Sequence, residues 1–285
     1  MNQIYNILIF TVIICVSGCV PSATEKPPAV AETLTAATDE SPVVIEELSA
    51  ASEKLLSVWD ERVWNKIKEG SRADYIRELI SEGADVNARY NGGWTPLMRT
   101  VLIKSPEIPA AVTVLINSGA DVNAKNNYGA RPLELAVIEK QAEIVKLLIK
   151  AEADVDARAK IFTPLMHAVF DRSTEIVKLL IEAGADVNAK TDSSEEWTPL
   201  MCAVMAASSE IVTLLIEAGA NVNICSNEST ALTIAVEKPE IVKLLIEAGA
   251  DVNFSDGVGR TPLTYAQNKD STEVIELLKA AGAKE

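Results

Sequence analysis

The chain has 285 residues, with 41 Asp and Glu against 26 Lys and Arg, a net charge of −15 and a pI near 4.6. That balance excludes nucleic acid as an ordinary partner, because a phosphate backbone demands a basic footprint, and it repels anionic lipid headgroups. One histidine, His167, and four cysteines leave no cluster at metal-ligand spacing, and no nucleophile is marked beside a base. No glycine-rich loop precedes a helix to cradle phosphate. The composition therefore reads as a non-enzyme, with no catalytic residue, metal, cofactor or small-molecule substrate.

In chain order, the first element is an almost purely apolar run from Ile7 to Val16. It is too short for the roughly 20 residues that span a bilayer and matches the central region of a secretory signal. Met1–Asn6 carries no Lys or Arg. Val16-Ser17-Gly18-Cys19 follows the run directly and resembles the lipobox of bacterial lipoproteins. The resemblance implies a signal peptide over 1–18, lipid on the Cys19 thiol and an acylated new N-terminus. Each buried CH₂ contributes about 0.8 kcal/mol, and stable anchoring takes two or more chains. The residue after the cysteine is Val20, not Asp, which in that family implies the outer membrane, with the rest of the chain in the periplasm or at the cell surface.

Residues 19–57 have the composition of a tether. Pro21, Pro27, Pro28 and Pro42 sit among Ala and Thr, and residues 20–57 hold seven acids and two bases. Little here can be buried; a flexible coil of this length spans roughly 35 Å. At the far end Leu48, Leu55, Leu56, Trp59 and Val63 keep helical spacing, which predicts a leading helix beginning between Pro42 and Ser52.

From residue 58 to 285 the chain repeats itself. Gly83, Gly119, Gly184, Gly219 and Gly249 each open Gly-Ala-Asp/Asn-Val-Asn, the copy at Glu152 reads EADVD, and a partial copy starts at Gly282. Successive openings lie 36, 33, 32, 35, 30 and 33 residues apart. A period in this range means stacked units that share one long surface. Each unit also carries Thr-Pro-Leu (at Thr95, Thr163, Thr198 and Thr261) or a degenerate form (at Arg131 and Thr230). A Thr that caps and a Pro at the first helical position start a short helix. A second helix follows, as in Glu175–Glu182, where Ile176, Val177, Leu179, Leu180 and Ile181 predict burial on more than one side. The glycine ends it in the left-handed conformation.

The order turn, short helix, longer helix, turn resembles the ankyrin repeat, with its Thr-Pro-Leu-His-x-Ala start and Gly-Ala-Asp-Val-Asn end. The likeness covers residues 59–285 and implies an all-α solenoid of six to seven helix-turn-helix units behind a disordered N-terminal tether. Where the family has its histidine this chain has Met98, Glu134, Met166, Met201, Thr233 and Thr264, so the bonds that residue makes are missing or replaced. Glu152 stands at a capping glycine's place and marks a local weak point. Pro106 and Pro109 predict a longer inter-helix loop near Lys104–Pro109, and Pro239 predicts a helix start. In the unit lacking Thr-Pro-Leu, Val63–Lys68 and Ala73–Ser81 read as the two helices of an N-terminal cap.

The resemblance implies protein binding through turn tips and the inner face of the first helices. Trp94, Phe162, Trp197 and Arg260 precede Thr-Pro-Leu, and Tyr128 shares their turns; exposed Trp, Tyr and Arg are enriched in binding hot spots. The opposing reading is that such aromatics pack on the neighbouring turn. Phe170 and Met205, near the ends of first helices, are weaker candidates. Cys202 and Cys225 read as two unpaired, partly buried thiols in preference to a disulfide. Together these features predict a monomeric, lipid-anchored bacterial envelope protein that binds a protein partner; the alternatives are an envelope accessory factor for a periplasmic enzyme, or an effector acting on host proteins.

Overall fold

The computed structural model describes residues 49–58 and 71–284. The predicted signal segment, Cys19, the predicted tether up to residue 48 and the predicted first cap helix at Val63–Lys68 lie outside the described residues. Those described form 14 α-helices and no strand. A leading helix α1 (Ala50–Ser57) and helix α2 (Arg72–Ser81) come first. Six helix pairs follow. The first members are α3 (Pro96–Val101), α5 (Pro132–Ile138), α7 (Pro164–Phe170), α9 (Pro199–Met205), α11 (Ala231–Ile234) and α13 (Pro262–Asn268). Their partners are α4 (Ile108–Asn117), α6 (Ala142–Lys150), α8 (Thr174–Glu182), α10 (Ser209–Glu217), α12 (Pro239–Glu247) and α14 (Thr272–Ala280). First helices pack on first helices and second on second, each unit touching its neighbours.

The short helices start where their chemistry dictates. The Thr95, Thr163 and Thr198 hydroxyls accept the N–H groups of Met98, Met166 and Met201 at 3.4, 3.3 and 3.3 Å. Each such cap stabilises by about 1 kcal/mol. In the two units where Thr replaces the family histidine, Thr233 and Thr264 reach back to the N–H of Thr230 and Thr261 and complete a reciprocal cap. Met98, Met166 and Met201 instead point into the core and are at most 1 % exposed. The anticipated loss of histidine bonds is thus made good locally in two units and replaced by apolar packing in three.

The second helices form the outer row and are covered on more than one side, as their apolar count predicts. In α8 only Ile176, Val177 and Leu180 are buried; Leu179 and Ile181 are half-buried. Neighbouring units cover two sides of the helix and solvent takes the third. Pro239 opens α12 as expected. Pro109 does not lie in a loop: α4 begins at Ile108, so the proline occupies its first turn and the loop ends at Glu107.

The Gly-Ala-Asp-Val-Asn motif explains itself in hydrogen bonds. Asp or Asn at its third position accepts the N–H of the residue two further on, as Asp121 does from Asn123 at 2.9 Å and Asp186 from Asn188 at 2.9 Å. The closing Asn then clasps the next unit twice. Asn188 Nδ2 donates to the Gly219 carbonyl at 3.3 Å while its Oδ1 accepts the Asn221 N–H at 2.8 Å. Asn87, Asn123, Asn223 and Asn253 repeat both bonds. At one junction the clasp is halved. Asp156 accepts the Asp186 N–H at 2.9 Å, but a carboxylate has no N–H to offer the Gly184 carbonyl.

The body of the molecule begins earlier than residue 58. Residues from Leu48 onward form one compact unit, and α1 lies inside the stretch read as tether. Its Leu55 is fully buried. Ser52, 33 residues before Asp85, accepts the Asp85 N–H at 2.9 Å and so serves where a preceding unit's Asn would.

Candidate functional site: the finger row

Between units the chain makes a finger, and five of these are closed at the base by a backbone bond. Tyr90 N–H donates to the Trp94 carbonyl at 2.9 Å, Asn126 to Ala130 at 3.1 Å, Thr191 to Trp197 at 2.8 Å, Ser226 to Ser229 at 2.9 Å and Asp256 to Arg260 at 3.1 Å. At the foot of four fingers sits a buried polar residue, Asn126, Thr191, Ser226 or Asp256. Asn126 Oδ1 accepts the N–H groups of Tyr128 and Ala130 at 3.0 and 2.9 Å, and Thr191 Oγ1 accepts that of Trp197 at 2.8 Å. The Ser226 hydroxyl donates to the Glu196 carbonyl of the finger before it.

Fingers touch their neighbours through backbone. Asn127 N–H donates to the Gly92 carbonyl at 2.9 Å and Asp192 to Ile161 at 3.1 Å. A Cβ on Gly129 would lie 2.5 Å from the Ala159 carbonyl oxygen, so glycine there is what lets the second finger meet the third. Main-chain bonds thus join the first finger to the second and the third to the fourth, and the Ser226 hydroxyl joins the fourth to the fifth.

The predicted contact residues fall differently along this row. Tyr128 is the most open, at 50 % exposed, and Tyr90 beside it reaches 40 %. Trp94 is corrected: it is only 7 % exposed and does not offer the side-chain surface that its position led one to expect. Its indole edge lies against Gly92, near the Tyr128 ring. Trp197 and Phe162 are half-buried. The Phe162 ring meets the edges of His167 and Phe170, at centroid distances of 5.5 and 5.2 Å, which joins the third finger to the face of α7. Phe170 and Met205 are half-buried at the ends of their helices.

Arg260 is exposed but engaged. Its Nε donates to Asp256 Oδ2 at 2.7 Å, and its guanidinium lies 5.0 Å over the Tyr265 ring. Asp256 also accepts Tyr265 Oη at 2.7 Å and the Val258 and Arg260 N–H groups at 3.0 and 2.8 Å. Burial opposes the Asp256 charge, yet these four donors outweigh it and hold the carboxyl well below the usual carboxylate range.

Two features went unread in the sequence. Glu134, in the column that holds Met in three other units, is 4 % exposed. Its Oε1 lies 3.3 Å from His167 Nε2, and its Oε2 has no partner. The out-of-column residue was the available signal. The other is a sorting of charge. The fingers 88–94, 124–130 and 157–162 hold Arg89, Lys125, Arg158 and Lys160 and no acid, whereas 189–197, 224–229 and 254–260 hold five acids and two bases.

Cys202 is fully buried and Cys225 exposed, and neither is bonded; burial pushes the Cys202 thiol well above its ordinary range. Among the described residues no group of three or more His, Cys, Asp or Glu could hold a metal ion.

No curated protein matches the chain in sequence. Among solved structures, the ankyrin repeat domain of Bcl-3, described as a unique member of the IkappaB protein family, is 27 % identical with a TM-score of 0.66, covering 79 % of this chain and 96 % of that one. The ankyrin repeat domain of human ASB11 shares the fold at 23 % identity and a TM-score of 0.63, covering 83 % and 99 %. The family model for ankyrin repeats matches three times, over residues 66–159, 159–225 and 223–284. Repeating clasp, finger and helix pair thus agree with the sequence match over most of the length, and the chain belongs to the ankyrin repeat family.

Proposed function

We propose that this protein is a lipid-anchored scaffold of a bacterial envelope, whose finger row and first-helix face bind another protein. The observation that carries the binding part is the hydrogen bonding between neighbouring fingers, which preforms the surface bearing Tyr128, Phe162 and Trp197 and lowers the ordering cost of association. The anchoring part rests on Val16-Ser17-Gly18-Cys19 behind the apolar run. Repulsion between a body of this charge and anionic headgroups leaves attachment to the lipid on Cys19.

Binding is tested by crosslinking-assisted capture with the full chain beside a Tyr128→Ala/Phe162→Ala/Trp197→Ala variant with an unchanged circular-dichroism spectrum. Partners recovered by the parent and lost by the variant support the reading; equal recovery ends it. For the anchor, labelled palmitate should enter the parent and not Cys19→Ser, and globomycin should retain the signal segment. An unlabelled parent protein removes the lipid.

A further inference from the structure

The charge of this molecule is not spread evenly over its finger row. In a chain with 41 acids, the first three fingers carry Arg89, Lys125, Arg158 and Lys160 with no carboxylate among them. A surface shaped only by solubility intersperses the signs. Beyond the third finger the sign changes. Lys190 is taken by Glu196 at 2.6 Å and Arg260 by Asp256 at 2.7 Å, while Asp192, Glu195 and Glu228 add further negative charge.

Two independent observations fall on the first two of these fingers, and the second of them reaches the third. The first is apolar exposure: of the large hydrophobic residues that stand exposed among the described residues, Tyr90 and Tyr128 lie here and Val258 lies elsewhere. The second is close packing between fingers. Arg89 Nη1 donates to the Lys125 carbonyl at 2.9 Å across the first two fingers. A Cβ on Gly93 would come within 2.6 Å of Asn127 Oδ1, and one on Gly129 within 2.5 Å of the Ala159 oxygen. Charge and ring are thus presented on fingers that pack closely against one another.

We propose that fingers 88–94, 124–130 and 157–162 form a docking strip for an extended acidic segment of a partner protein, its carboxylates meeting Arg89, Lys125, Arg158 and Lys160 and its apolar side chains meeting Tyr90 and Tyr128. The inference rests on the reading of the finger row as a protein-binding surface and adds the chemistry of the occupant. The occupant is a polypeptide with a few carboxylates. A nucleic acid brings a dense row of charge that feels the rest of this body, at −15, beyond the strip itself. A short segment senses little past the Debye length of about 8 Å at physiological salt.

The test uses the full chain in a neutral detergent and a fluorescent peptide of alternating Glu and Tyr. Anisotropy should show saturable binding that weakens with added salt. A peptide of alternating Lys and Tyr should not bind there. Lys125→Glu/Arg158→Glu/Lys160→Glu should weaken the Glu-Tyr peptide by about tenfold or more, since exposed charge pairs contribute up to about 1 kcal/mol each; Lys190→Glu should leave it unchanged. The proposal is overturned by undiminished binding to the triple variant, by equal affinity for the Lys-Tyr peptide, or by preference for a single-stranded oligonucleotide. It is overturned too if neutralising the acids of residues 20–47 tightens peptide binding tenfold, because the chain's own segment would then be the occupant. Loss of capture by the alanine variant together with failure here would leave the binding reading intact and remove only the acidic occupant.

Discussion

The junction at Asn188 and the junction at Asp156 perform the same task with different means. At the first, one amide group donates to Gly219 and accepts from Asn221, and Gly184 ends the preceding helix at φ 85°. At the second, Asp156 supplies acceptance alone, and Glu152 takes the left-handed conformation at φ 64°. Glu152 still keeps the partner role of a glycine, its carbonyl accepting Asn123 Nδ2 at 3.2 Å. The comparison separates what the motif needs for geometry from what it needs for strength. A stack whose stability sums unit and neighbour contributions opens first where both are reduced, between the units ending at Glu152 and Gly184.

The largest effect that breaks the comparison is Asn188→Ala. It deletes both clasp bonds and should cost about 1–3 kcal/mol by urea unfolding, making that junction the weakest in the molecule. Next is Glu152→Gly, which removes a left-handed non-glycine residue and should stabilise by about 1 kcal/mol, less whatever the freer unfolded chain gives back. Asp156→Asn restores the missing donor to Gly184 and should add about 0.5–1.5 kcal/mol. Hydrogen exchange around Ala183–Ala189 should slow with it; unchanged exchange would mean that the halved clasp is not the weak point. The smallest effect concerns pH at the last finger. Asp256 ionises at lower pH folded than unfolded, so the stability it lends is complete above about pH 4, the unfolded carboxylate value, and is lost as pH falls toward the folded value. Asp256→Asn should flatten this acid-side loss in melting temperature and leave the neutral-to-alkaline range level.

The fold was legible because its signals are local and recur. Thr-Pro-Leu marks a helix start whose cap bond is made within the same turn, and the glycines mark helix ends by backbone conformation alone. The left-handed Glu152 and the start at Pro239 followed from the same reasoning. The site was less legible, since exposure is set between units. Trp94 and Trp197 occupy the same motif position, yet Trp94 is buried and Trp197 only half so. Their fingers differ: 88–94 folds over its own glycines, while 189–197 is longer and closes through Thr191. The Glu134–His167 pair joins two first helices, so no pattern within one unit announces it. In the outer row the apolar count gave burial on more than one side, but which side chains stay half-buried, such as Leu179 and Ile181, depends on the neighbouring units.

Ser52 gives the leading helix a mechanical meaning. Its hydroxyl receives the Asp85 N–H, and its neighbours Leu55 and Val58 are sunk without exposure. Tension drawn along the chain from residue 49 is therefore resisted first by this latch and by those two side chains, before it reaches the Asn87 clasp. A pull strong enough to draw Leu55 out would peel the stack from that end.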